Sequence, residues 1–172
     1  NIKLSENWFL CPNAYFLANR GIRLNAATPI TAVPELNMLF ANSETNVNLG
    51  YIDVPVFVHY QTDNKKFRFG IAPQISFLSK ATALYDGSEG EFEEDIKSEM
   101  SSIDYGFIGN ITYVLGKAHK GRGVHLHLRY YQGLENIFDG GFSSEDVRTQ
   151  YISFHLSLPF ITDELAAKNL AE

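Results

Sequence analysis

Residues 123–134, GVHLHLRYYQGL, place His125, His127 and Arg129 at alternate positions. Side chains two apart on a strand share a face. Two imidazoles and a guanidinium therefore stand side by side, opposite Val124, Leu126, Leu128 and Tyr130. Paired imidazoles are zinc ligands when further donors join them. His155 on the next strand would be a third, but no fourth is identifiable, so no metal is expected. Ser153 or Ser157, with a neighbouring histidine and a carboxylate such as Glu35, has the parts of a serine hydrolase. No nucleophile motif marks these serines, and no residue is assigned as catalytic. DGSEGEFEED (86–95) has the carboxylate density of a calcium loop without EF-hand spacing, and it reads as a solvated loop. The glycines form no phosphate-cradling pattern, so no cofactor is expected.

The 172 residues suit one domain. The net charge of -6 argues against a nucleic-acid binder, which usually shows a basic patch or stripe. One cysteine, Cys11, excludes an internal disulfide. The chain opens at Asn1 without a signal sequence, so the expectation is that any such segment has been removed or was never there. No run of about 18 apolar residues exists, which excludes a membrane-spanning helix but not a barrel, whose strands need only about 9 to 11 residues.

What positions the histidines is a series of alternating segments. TAVPELNMLF (31–40) sets Ala32, Pro34, Leu36, Met38 and Phe40 against Thr31, Val33, Glu35, Asn37 and Leu39. YIDVPVFVHYQ (51–61) sets Ile52, Val54, Val56, Val58 and Tyr60 against Tyr51, Asp53, Pro55, Phe57, His59 and Gln61. In 67–78, Phe67, Phe69, Ile71, Ile75 and Phe77 oppose Arg68, Gly70, Ala72, Gln74 and Ser76. In 103–115, Ile103, Tyr105, Phe107, Ile111, Tyr113 and Leu115 oppose Asp104, Gly106, Asn110 and Thr112. The last segment sets Ile152, Phe154, Leu156, Leu158 and Phe160 against Tyr151, Ser153, His155 and Ser157. With 123–134 these make six strands. NAYFLANRGIRLN, where Arg20 interrupts the apolar face, and IKLSENWFL are the seventh and eighth. The connections 26–29, 62–66 and 116–122 are short, whereas 41–50, 81–102 and 136–150 are longer and acidic, the asymmetry of an outer-membrane barrel.

Alternation alone does not say which face is inside. The non-apolar face is rich in small residues that suit a narrow lumen: Gly70, Ala72, Ser76, Gly106, Thr112, Gly133, Ser153 and Ser157. Its charges are of both signs. The expected lumen network is Glu35, Asp53, Arg68, Asp104, His125, His127, Arg129 and His155. Charge enclosed in a barrel needs a partner, and Arg129 is expected to reach Glu35, with Asp53 or His155 as a further partner. The apolar face then meets lipid, with Tyr60, Tyr113 and Tyr130 in aromatic girdles.

PELNMLF (34–40), LGYIDVPVFVHY (49–60), FRFGIAPQISFL (67–78), DYGFIGNITYVL (104–115) and LHLRYYQGLENI (126–137) resemble, in order, successive strands of the PorT-like outer-membrane β-barrel domains of Bacteroidetes. The resemblance covers about four fifths of the chain. It implies an eight-stranded barrel with periplasmic termini, and some relatives serve the type IX secretion and gliding apparatus. Two departures stand out: the glycine-rich first strand is absent, and the chain runs past Phe160 as ITDELAAKNLAE, where Thr162 or Asp163 can cap a short helix.

The expected fold is all-β, an eight-stranded antiparallel up-and-down transmembrane barrel over 1–160 with a periplasmic tail over 161–172. The expected role is structural, assembly or secretion-accessory. The barrel is neither an open pore nor an enzyme, and its partners are the outer-membrane bilayer and other envelope or secretion proteins. The rivals are a soluble or periplasmic barrel binding an apolar ligand, and an outer-membrane hydrolase.

Overall fold

A computed structural model describes residues 2–27, 33–87, 90–115, 123–138 and 147–158. These form one antiparallel meander of β1 (Ile2–Lys3), β2 (Trp8–Pro12), β3 (Tyr15–Ala27), β4 (Ser43–Gln61), β5 (Phe67–Gly87), β6 (Gly90–Asp95), β7 (Ile103–Leu115), β8 (Val124–Gly133) and β9 (Gln150–Ser157), with a short helix α1 (Pro34–Leu39). β2 and β3 are two halves of one stave along β4: Trp8 stands opposite Tyr60 and, at the far end, Ala27 opposite Ser43. Six staves result, in the order β2/β3, β4, β5, β7, β8, β9. β1 lies along the outer edge of β2, and β6 along the upper part of β5. Among the described residues the sheet is not closed, since β3 and β9 do not pair.

The sequence count of eight differs from these six staves for two reasons. The two N-terminal segments share one stave. The segment expected as a strand over 31–40 is instead α1 from Pro34 onward. Pro34 cannot donate to a ladder but suits the first turn of a helix. Leu36 and Phe40, four apart, then turn the same way onto a buried cluster. The tail expected over 161–172 lies outside the described residues.

The short-turn end is tight at 62–66. The Thr62 amide donates to Phe67 O at 3.0 Å, and Asn64 Oδ1 accepts from Thr62 Oγ1 at 2.7 Å and from the Lys66 amide at 3.0 Å. Lys65 takes a left-handed φ of 55° there. At this end the rings of Trp8 and Tyr60 lie 5.3 Å apart and those of Phe67 and Tyr113 4.9 Å apart, an aromatic girdle of the kind that marks a membrane interface.

Side-chain direction reverses its polarity along single strands. From Ile52 to Tyr60, β4 turns Val54, Val56 and Val58 outward and buries Asp53, Phe57 and His59. Above Ile52 the same strand buries Val47, Leu49 and Tyr51 and turns Glu44, Asn46 and Asn48 outward. β5 does likewise: Phe67, Phe69, Ile71, Ile75 and Phe77 face out below, whereas Ala81, Ala83 and Tyr85 are buried above. Phe69 is 44% exposed, Val56 38% and Leu128 40%, so the large apolar side chains of this band surround the sheet rather than fill it. Strand from Ile52 to Tyr60 is about 30 Å long. At barrel tilt it covers roughly the 25 Å apolar band of an outer-membrane barrel.

A bulge at Ser79 makes the reversal on β5 fit. Gly50 opposes Lys80 but Tyr51 opposes Leu78. The extra residue switches the buried set from even to odd numbers. Ser79 Oγ donates to Gly50 O at 2.8 Å. Above the bulge lies a lobe with a core of its own, in which Phe40, Ile96, Met100, Ile137 and Phe138 cover Val47, Leu49 and Tyr85. Much of 41–50 and 81–95, expected as loop, is therefore strand. Burial pushes the Tyr85 phenol up to about 12, with the neighbouring Glu94 carboxylate adding to the shift.

Candidate functional site: a polar cluster within the sheet

Asp53, Ser76 and Asp104 occupy one register row across β4, β5 and β7, all facing inward. The row presents two carboxylates and a hydroxyl to the interior. Arg20 of β3 meets them. Its Nη2 lies 2.6 Å from Asp53 Oδ1 and donates to Ser76 Oγ at 2.9 Å, and its Nη1 lies 2.7 Å from Asp104 Oδ2. The guanidinium carbon sits 4.1 Å from the ring centre of Tyr51, 5.0 Å from that of Tyr131 and 5.2 Å from that of Tyr151. All three charged side chains are buried. A guanidinium with five donors in a planar fork can bridge two carboxylates, where a lysine cannot. Gly133 makes room for Asp104: a Cβ there would lie 3.1 Å from Asp104 Oδ1 and 3.0 Å from Thr149 O.

Toward the short-turn end the interior changes character. Cys11, Phe57, Ala72, Ile108 and Tyr131 form one buried layer. A hydrogen-bonded chain runs along β7, β8 and β9. Arg129 Nε donates to Asn110 Oδ1 at 3.2 Å, and Asn110 Nδ2 donates to Thr112 Oγ1 at 3.0 Å. Thr112 Oγ1 lies 2.9 Å from His127 Nδ1, and His127 Nε2 lies 3.0 Å from Ser157 Oγ. Separately, His155 Nε2 lies 3.0 Å from Ser153 Oγ. The Arg129 guanidinium lies 4.7 Å from the Tyr15 ring centre and 5.7 Å from that of Phe57. Arg68 Nη2 donates to Gln61 Oε1 at 3.4 Å. His59 lies over Gly70, where any Cβ would overlap its imidazole.

The structure thus places Asp53 and Asp104 together in the upper cluster, and Arg68, His125, His127, Arg129 and His155 on the inward face below it. Glu35 is not among them. It is exposed in the first turn of α1, where a carboxylate suits the helix dipole. The expected Arg129–Glu35 pair is absent because the segment carrying Glu35 is not a stave, and Asp53 pairs with Arg20 instead. Arg20 is the residue that strand periodicity missed. A register shift between Tyr15 and Ala18 brings both Tyr15 and Arg20 to the interior despite their opposite parity. The signal available was an arginine interrupting the apolar face of the strand. No carboxylate among the described residues stands behind the imidazoles of the histidine–serine contacts, and His127 is held by the Thr112 hydroxyl. Among the described residues no three His, Cys, Asp or Glu side chains converge as a metal would require.

Residues 1–139 match the family model described as outer membrane protein beta-barrel domain. The match covers more than three quarters of the chain, and the chain belongs to that family. No curated protein and no solved structure matches it. The apolar band of the fold is therefore the surface of an outer-membrane protein.

Proposed function

We propose that this member of the outer-membrane barrel-domain family is a structural or assembly component of the envelope, neither an open pore nor an enzyme. The observation that carries this reading is that side chains block the path along the sheet's inner face at two levels. Arg20 with its two carboxylates closes one level, and the layer of Cys11, Phe57, Ala72, Ile108 and Tyr131 closes the next. A small barrel has an interior only wide enough for its own side chains. The lobe beyond the band, with its buried core, half-buried Glu44 and Asn46 and exposed Asn48, is then the part that faces outside the cell and meets other proteins, while the short turns face the periplasm. Four of the five segments that resemble PorT-like domains are strands here and support a secretion-accessory role in Bacteroidetes, and among the described residues no carboxylate backs the serine–histidine contacts.

In planar bilayers the purified protein should insert without sustained conductance steps. Stable, porin-sized currents from the pure protein would contradict the closed-interior reading.

A further inference from the structure

A cavity of about 740 Å³ lies between β3 and β9, the two strands that do not pair. Its inner wall carries Arg20, Asp53, Arg129, Ser153 and His155. Its lips are outward-facing: Phe16, 72% exposed, on one side and Ile152, 66% exposed, on the other. The cleft therefore runs through the wall, polar inside and apolar where it meets the band. β1 covers the edge of β2 below it, and Tyr15 to Ile22 of β3 pair with Asp53 to Val47 of β4, the level at which strand polarity reverses. Strand edges without partners are not tolerated against hydrocarbon but are where they line a cavity that water reaches, and this rim is such a place.

The charges within the cleft are unequal in their partners. Arg20 is held by Asp53 and Asp104. Arg129 has no carboxylate within ion-pair distance among the described residues. Among the described residues its hydrogen bond runs from Nε to Asn110, which leaves both Nη groups for another acceptor. Below it, the described inward-facing side chains of β2, β4, β5, β7, β8 and β9 include Arg68, His59, His125 and His127 but no Asp or Glu. A guanidinium enclosed away from a counter-charge favours an anion that can accept two parallel hydrogen bonds, which is the geometry of a carboxylate or phosphate. The volume falls within the range of small-molecule sites.

We infer that the β3–β9 cleft binds a single-chain anionic amphiphile, its carboxylate or phosphate head on Arg129 beside Ser153 and its chain leaving the wall between Phe16 and Ile152. The inference rests on the band facing lipid. The test uses the protein in phosphatidylcholine nanodiscs and stearate spin-labelled near its carboxyl end. An immobilised component should appear in the spectrum with the acid and not with its methyl ester. Arg129→Gln should weaken that binding by about tenfold or more, the loss of one charge-assisted bidentate contact, while Arg129→Lys, which keeps the charge but not the fork, should retain only part of it. Equal immobilisation of acid and ester, or binding unchanged in Arg129→Gln, overturns the inference. Displacement of the probe by inorganic phosphate in millimolar excess also overturns it, because the occupant is then a soluble anion. Each variant is first shown to be folded by its heat-dependent gel mobility. A wild-type chain that does not enter nanodiscs at all refutes the lipid-facing reading itself, a separate failure.

Discussion

Arg20→Met should destabilise the protein by about 3–5 kcal/mol, the scale of removing one partner from a buried ion pair. The cost comes from Asp53 and Asp104, which stay buried with no counter-charge once the guanidinium that touches both has gone. Arg20→Lys should recover only part of the loss, since one ammonium does not reproduce a planar fork stacked on Tyr51. Asp104→Asn should cost far less than Arg20→Met. It leaves the Arg20–Asp53 pair in place and takes the cluster from one excess negative charge to neutrality. The triple change Arg20→Met, Asp53→Asn, Asp104→Asn should be much closer to wild type than Arg20→Met alone, because it strands no charge. Urea unfolding of the detergent-solubilised protein gives the ranking. An Arg20→Met midpoint equal to that of wild type would mean that the cluster does not hold the staves together.

Deleting one residue from β5 should be harmless at Ser79 and disruptive at Gln74. Without Ser79, Leu78 and Lys80 become neighbours opposite Tyr51 and Gly50, and the ladder runs on without the shift. Leu78 still faces in and Lys80 out, so Ala81, Ala83 and Tyr85 stay on the core of the lobe. Without Gln74, the side chains between the gap and the bulge change face: Ile75 and Phe77 turn in toward the Arg20 cluster, and Ser76 turns out and no longer accepts from Arg20. Forcing a bulky side chain into a packed interior costs about 1–3 kcal/mol, and here two must enter. Limited proteolysis should therefore cut the Ser79 deletion no faster than wild type, whereas the Gln74 deletion should lose its heat-dependent gel mobility. Rapid cleavage of the Ser79 deletion within 80–102 would contradict the bulge as a single extra residue between two regular stretches of strand.

The band was legible in sequence because a strand buried on one side writes its environment at every second residue. β7 keeps the faces expected of it, with Ile103, Tyr105, Phe107 and Ile111 turned out and Asp104, Gly106, Asn110 and Thr112 turned in. The lobe was not legible, since Ala81, Ala83 and Tyr85 continue the alternation with inside and outside exchanged by one inserted residue, and periodicity carries no sign. The helix at Pro34–Leu39 was hidden by its length: over six residues, the 34, 36, 38, 40 alternation and the 36, 40 helical spacing fit equally well, and only Pro34 distinguishes them. The inward facing of Asp53, Asp104, Arg68 and the histidines followed from parity. Their partners did not, because pairing depends on the register of strands far apart in sequence and on the shift in β3 that brings Arg20 inside.

The polarity reversal along β4 and β5 as the edge of the bilayer is tested most directly by nitroxide accessibility in the reconstituted protein. Single cysteines at Val56 and Ile71, within the band, and at Asn48, beyond it, are labelled in a Cys11→Ala background. The nitroxides on Val56 and Ile71 should collide readily with oxygen, which dissolves in lipid, and hardly at all with a polar nickel chelate. The nitroxide at Asn48 should show the opposite preference. High chelate accessibility at Val56 and Ile71 would place the band in water and contradict the account.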